Sequence, residues 1–174
     1  KSAEDSTLSL FKYGELLYQN LILFSPKVEE FGGKISKKTI LDFIDEGGNL
    51  MIATGRKPGI LLREIAVECG IEIDSPGVSL TGSLVIDHFN YDTSDPSHTL
   101  IAVDGENLID APVVVGARKI APLLYKGIGL LVNNSNPLVL KVLTAYSTSY
   151  SCDPFSNIDK TPNVVGKEST LIAA

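Results

Sequence analysis

The chain has 174 residues, 44% of them apolar, and a formal net charge of -6 at neutral pH. That length supports one domain with a real core, and the acidic balance excludes the basic footprint of a nucleic-acid binder. No stretch approaches the ~18 unbroken apolar residues of a membrane helix. In chain order, the opening Lys1-Ser2-Ala3-Glu4-Asp5 is polar and is not a signal peptide. Leu10, Phe11, Leu17 and Tyr18 share one helical face, so a short helix interrupted by Gly14 is expected there. Leu21 to Phe24 is an apolar run stopped by Ser25-Pro26, the pattern of a short buried strand. Phe31-Gly32-Gly33 then leads into a helix that Ser36 can cap, with Ile40, Leu41, Phe43 and Ile44 as its buried stripe and Gly47-Gly48 as its stop.

A second strand–helix unit repeats the pattern. Asn49 to Ala53 reads as a strand, Thr54-Gly55 as a turn, and Pro58 stands near the start of the next helix. Leu61, Leu62, Ile65, Ala66 and Cys69 share that helix's inner face, which makes Cys69 a buried free thiol, and Gly70 closes it. Two such units in tandem predict a parallel sheet with right-handed crossovers. The second half changes to short β runs: Leu84 to Ile86, Thr99 to Val103, Val113 to Val115, Leu123 to Tyr125, Ile128 to Val132, and Leu171 onward. Leu138 to Leu143 fits a strand or a short helix. The shift near Ser75-Pro76-Gly77 reads as a change of character within one domain spanning 1–174. The predicted fold class is therefore α/β, three-layer, with a mainly parallel sheet flanked by helices of the amidotransferase-like or flavodoxin-like kind, and a β-rich second half.

The chemistry is sparse. The loops after the first two predicted strands lie where open α/β sheets hold ligands, so Phe31, Gly32, Gly33, Arg56 and Lys57 define a possible crevice for a ligand or partner. Yet they carry no Ser, Cys or His nucleophile and no phosphate-gripping Lys-Ser. Thr54 has no local His to deprotonate it. Arg56 and Lys57 at a helix start could hold an anion; otherwise the segment is a packing turn. Gly32-Gly33 reads as a tight turn needing positive φ.

The densest polar cluster is Asp87-His88-Phe89-Asn90-Tyr91-Asp92-Thr93-Ser94-Asp95, with His98. Its carboxylates could ligate a hard cation, but the calcium-loop spacing is missing and the histidines are not at i, i+4. The alternative has Asp87 and Asn90 satisfying backbone groups while Phe89 and Tyr91 pack inward. No metal or cofactor is assigned. Asn133-Asn134-Ser135 is a glycosylation sequon. A disulfide between Cys69 and Cys152 requires close Cα atoms. The pairs Lys37-Lys38, Arg56-Lys57 and Arg118-Lys119 read as solvated surface.

From about Ser6 to the end, a series of segments resembles one known family. They are Lys12-Tyr13-Gly14-Glu15, Leu21 to Gly33, Glu68-Cys69-Gly70-Ile71-Glu72, Val85 to Asp92, Glu106-Asn107-Leu108, Asn136-Pro137-Leu138-Val139-Leu140 and Ser147-Thr148-Ser149-Tyr150-Ser151. The family is the non-catalytic dolichyl-diphosphooligosaccharide–protein glycosyltransferase subunit of the oligosaccharyltransferase complex, through its luminal α/β domain. The specificity lies in the number and order of segments, and the match departs at Gly55 to Gly59, Ser75 to Ser83 and around Cys152.

The resemblance implies a structural role in the complex that transfers oligosaccharide from dolichyl diphosphate to asparagine in Asn-X-Ser/Thr. It implies no catalytic residues and no cofactor in this chain, other subunits as partners, the catalytic membrane subunit among them, and no nucleic acid. It also implies a fragment truncated at both ends. The full-length protein would add a signal peptide and a first strand and helix upstream, and a β-rich region with a single membrane anchor downstream, placing this part in the endoplasmic reticulum lumen. The alternatives are a sugar- or anion-binding α/β module and a degenerate amidotransferase-like domain.

Overall fold

The computed structural model describes residues 1–24, 27–74, 82–117, 121–158 and 161–174. Ser25-Pro26, the Ser75-Pro76-Gly77 turn and the Arg118-Lys119 pair lie outside them. The chain is mixed α/β, with few helices and several sheets, and it forms two compact units, Lys1–Glu68 and Cys69–Ala174.

The first unit begins with a hairpin, not the expected helix. Strand β1 (Phe11–Lys12) pairs antiparallel with β2 (Glu15–Leu16) across Tyr13-Gly14, whose φ values are +56° and +85°. Two consecutive positive φ angles define the hairpin turn that follows the strands' own twist. An α-helix cannot contain them, which is why the helical spacing of Leu10, Phe11, Leu17 and Tyr18 misleads. Leu17 N–H extends the ladder to the Leu10 carbonyl at 2.8 Å.

The rest of this unit is a strand–helix–strand–helix succession. Strand β3 (Asn20–Leu23) and β4 (Asn49–Ile52) lie parallel in register, Asn20 opposite Asn49 and Leu23 opposite Ile52. Helix α1 (Lys37–Asp45) starts at Ser36, whose hydroxyl accepts from Thr39 N–H at 3.1 Å. It ends at Gly47, φ +90°, and Gly48 donates back to the Phe43 carbonyl. Helix α2 is Ile60–Glu68.

Apolar periodicity then sets the core. Leu23, Ile40, Phe43, Leu62 and Ile65 are buried together, with Leu21, Leu50 and Ile52 packed against them. Because strand side chains alternate, Ile22 and Met51 face the opposite way as register partners, and they and Phe24 are more than half exposed. Parallel sheets normally have both faces covered; among the described residues, one face of this pair is bare.

The second unit is antiparallel throughout its described pairings. Its strands are β5 (Ile71–Ile73), β6 (Leu84–Ile86), β7 (Ile101–Val103), β8 (Leu123–Tyr125), β9 (Leu130–Val132), β10 (Lys141–Thr144), β11 (Tyr150–Cys152) and β12 (Thr170–Ala173). The order β10-β12-β9-β5 makes a four-stranded sheet, with β11–β6 and β7–β8 as separate pairs. So the expectation of a mainly parallel sheet fails: among the described residues, β3–β4 is the one parallel pair. Val113 to Val115, expected as a strand, belongs to a single helical turn, α3 (Pro112–Val115). Pro112 presets the first helical position, Gly116 ends it at φ +79°, and Val113, fully exposed, has no sheet to pack on. Val85, Ile101, Val103, Leu143, Ala145 and Leu171 form this unit's core.

Phe43 fills the first unit's core with no exposed surface, whereas Tyr13 stands almost wholly in solvent. Phe43→Ala should therefore cost about 3–5 kcal/mol. Tyr13→Asn, which suits positive φ, should cost nothing. Denaturant unfolding of the two variants checks the contrast.

Candidate functional site

The polar cluster after β6 is the richest chemical constellation among the described residues. Its foundation is Asp87, which has no exposed surface. One carboxylate oxygen accepts from Phe89 N–H and Asn90 N–H, both at 2.9 Å. The other accepts from the hydroxyls of Thr148 and Ser149, both at 2.7 Å, and from Asn90 Nδ2. The Asp87 N–H itself donates to the His98 carbonyl. Burial pushes this carboxyl upward, but the bonds from Thr148, Phe89, Asn90 and Ser149 outweigh it and hold the group below the ordinary carboxylate range.

Asp95 is a second hub. It accepts from Ser97, from Thr99 through both N–H and hydroxyl, from Leu100 N–H and from Lys126 Nζ. The Ser97 hydroxyl is the largest of the influences that hold it well below the usual range. With their oxygens so engaged, Asp87 and Asp95 shape the turns around them. Among the described residues, no group of three or more His, Cys, Asp or Glu could hold a metal ion.

These two hubs bring together what the sequence keeps apart. His88 and His98, ten residues apart, meet Nδ1 to Nδ1 at 2.6 Å, and His88 Nε2 reaches the Tyr150 hydroxyl at 2.8 Å. Tyr91 stacks on the His98 ring at 3.8 Å between centroids. His98 adopts φ +55° to make this contact, a conformation His tolerates better than most residues. An Nδ1–Nδ1 bond needs one proton between two rings, so each imidazole serves as a partner to the other. The expectation that Phe89 packs inward fails: it is 80% exposed, because the backbone at 89 and 90 turns to serve the Asp87 carboxylate. Tyr150 carried no sequence signal for this role. Its strand is polar and carries no apolar alternation; pairing with β6 and the Ser151 hydroxyl donating to buried Asp74 fix it.

Neither cysteine is in a disulfide, and each is half-buried. Burial, reinforced by the negative charge of Asp153 and Asp74, pushes the Cys152 thiol up, the opposite of what a nucleophilic thiol requires.

The residues expected to line a crevice all fall in the first unit. Phe31 packs half-buried against its core. A Cβ on Gly32 would come within 2.5 Å of the Glu4 backbone, and one on Gly33 within 2.3 Å of the Leu8 carbonyl oxygen. The Gly32 N–H donates to the Ala3 carbonyl at 2.7 Å. The two glycines thus allow close passage of residues 3–8. Arg56 is half-buried and Lys57 exposed, on the connection between β4 and α2. A Cβ on Gly59 would lie 2.5 Å from the Val28 carbonyl oxygen, so the loops after β3 and β4 do converge. Asn133 is exposed in the turn after β9.

Comparison with known proteins gives a consistent result. The family model for the OST48 N-terminal domain matches residues 1–174. The chain is 52% identical over 174 residues to the 48 kDa subunit of dolichyl-diphosphooligosaccharide–protein glycosyltransferase of Danio rerio, covering 99% of this chain and 38% of that one. It is 48% identical over 179 residues to the corresponding subunit of Drosophila melanogaster, covering 100% of this chain and 39% of that one. The chain thus spans about two-fifths of the length of these relatives. The solved mmIFT52 N-terminal domain is similar over 76% of this chain and 54% of its own, at 16% identity and a TM-score of 0.49.

Two outcomes follow from the cluster's electrostatics. Because the folded Asp87 carboxyl titrates below its unfolded value of about 3.9, its contribution to stability is present above that pH and is lost as pH falls through the folded value. Asp87→Asn should lower the melting temperature at pH 7, and the gap from wild type should shrink below about pH 4. The Cys152 thiol should alkylate in the native protein only at a pH above the ordinary thiol range, and Asp74→Asn should bring that pH down; a pH series of iodoacetamide labelling reads both.

Proposed function

This chain belongs to the OST48 N-terminal domain family, and we propose that it is a non-catalytic, structural part of an oligosaccharyltransferase subunit. The complex would transfer oligosaccharide from dolichyl diphosphate to asparagine in Asn-X-Ser/Thr. The observation that carries the reading is the 52% identity to a subunit bearing that name. The chemistry of the chain supports the non-catalytic part. Asp87 and Asp95 are engaged by internal donors, and the Cys152 thiol is held protonated by its surroundings.

The physical role is to hold neighbouring subunits, the catalytic membrane subunit among them, in register. The bare apolar side of β3–β4, with Ile22, Phe24 and Met51, supports a covered face in the working assembly. The parallel β3–β4 pair with α1 and α2 also supports reading this unit as part of a three-layer sheet of the amidotransferase-like or flavodoxin-like kind, reused without its chemistry. The whole chain is read as one luminal domain of the endoplasmic reticulum, in a full-length protein held to the membrane by a segment elsewhere. Among the described residues, no helix is long and apolar enough to cross a membrane.

The convergence of the loops at Val28 and Gly59 favours a second reading, a sugar- or anion-binding crevice around Phe31, Arg56 and Lys57. A glycan and inorganic phosphate titration followed by NMR tests it; saturable shifts at Arg56 and Lys57 support it, and their absence at millimolar ligand removes it.

For the leading reading, tagged full-length protein purified from its own cells should recover the other complex subunits. Recovery alone, without them, would overturn it. Ile22→Ser with Met51→Ser should reduce that recovery at least tenfold if each side chain contributes about 1.5–3 kcal/mol on burial; undiminished recovery would place the contact elsewhere.

A further inference from the structure

The turn from β9 to β10 carries Asn133-Asn134-Ser135 in a setting built to bear a large modification. Asn133 continues the β9 ladder by donating its N–H to the Gly70 carbonyl at 3.0 Å, then leaves the sheet. Its side-chain Oδ1 accepts from Ser135 N–H at 3.0 Å, and the Asn136 N–H donates to the Asn133 carbonyl at 2.9 Å. The Asn133 backbone and carbonyl oxygens are thus anchored, while Nδ2 has no hydrogen-bond partner among the described residues. Asn133, Asn134 and Ser135 are all exposed. Pro137 lies beyond the triplet, so neither the middle nor the following position is proline.

We propose that Asn133 is N-glycosylated, so that this protein is itself an acceptor of the oligosaccharide its complex transfers. The inference rests on the luminal reading above for access to a lipid diphosphate-linked donor. In the step, Nδ2 of Asn133 forms a bond to the anomeric carbon of the reducing sugar, and the bond from that carbon to the diphosphate oxygen breaks. Nδ2 loses one proton, and the polyprenyl diphosphate departs with the bonding electron pair. A donor on Oδ1 favours this chemistry, because negative charge moves onto that oxygen as the Nδ2 proton is withdrawn. In the folded chain Asn133 is exposed, so the attached glycan meets solvent.

One structural consequence follows. A glycan on this turn would shield the adjacent end of the β10-β12-β9-β5 sheet, leaving that end outside any subunit contact.

The test uses the full-length protein in its own cells. Wild type should show one endoglycosidase-sensitive mobility step that Asn133→Gln and Ser135→Ala remove and Ser135→Thr retains. Peptide mapping after deglycosylation in heavy-oxygen water should place the label at Asn133. Protease protection and co-purification of complex subunits are measured on the same samples. An unmodified Asn133 in a protein that is protected and assembled overturns this proposal alone. An unprotected, unassembled protein overturns both this proposal and the reading it rests on. All three substitutions lie on an exposed turn, so equal expression of the variants confirms that a lost step is lost sugar and not lost protein.

Discussion

Asp87 is the point on which the second unit turns. A carboxylate with no exposed surface is costly to bury unless its oxygens are matched by donors, and here five groups match it. They come from residues 89 and 90 on one side and from 148 and 149 on the other. The carboxylate therefore ties the loop leaving β6 to the segment entering β11, its antiparallel partner. The positions of His88, His98 and Tyr150 all derive from this tie: His88 follows Asp87 directly, the His98 carbonyl receives the Asp87 N–H, and Tyr150 follows Ser149. A cluster that resembles reactive machinery thus has an architectural origin.

The first unit differs in what it leaves exposed. Its helices cover one side of a parallel strand pair and leave the other side with Ile22, Phe24 and Met51 in view. In a doubly wound enzyme the interest lies at the carboxyl ends of the strands. Here the glycines after β3 accommodate the chain's own residues 3–8. These outward-facing apolar residues fit the contact role proposed above. The family membership gives that role a setting.

Much of the first unit was legible because its signals are local. The Leu21 to Phe24 run, the Ser36 cap, the Gly47-Gly48 stop and the inner faces of both helices each follow from a few adjacent residues, and the structure places them within a residue or two. The hairpin at Tyr13-Gly14 was not legible, because four apolar residues at helical spacing outweigh one glycine, and the positive φ at both turn positions belongs to the folded backbone alone. The β5 and β11 strands escaped for a different reason. Ser151 sits in a strand because Asp74 receives its hydroxyl and Val85 lies opposite, and neither partner is near in sequence. The same holds for the site: Asp87 and Asn90 as turn-formers were readable from their spacing, whereas the meeting of His88 with His98 and Tyr150 depends on long-range closure. The parallel expectation failed beyond β4, since short β runs do not reveal their direction.

On the proposed function, the polar cluster serves structure and the surfaces serve assembly. The His88–His98–Tyr150 chain links two imidazoles and a phenol, groups capable of proton transfer. Oligosaccharide transfer to an Asn-X-Thr peptide should therefore be measured, per assembled complex, with His88→Gln and His98→Gln in the full-length subunit. Turnover should equal wild type in whatever complex assembles. A large loss of turnover in a fully assembled complex would contradict it.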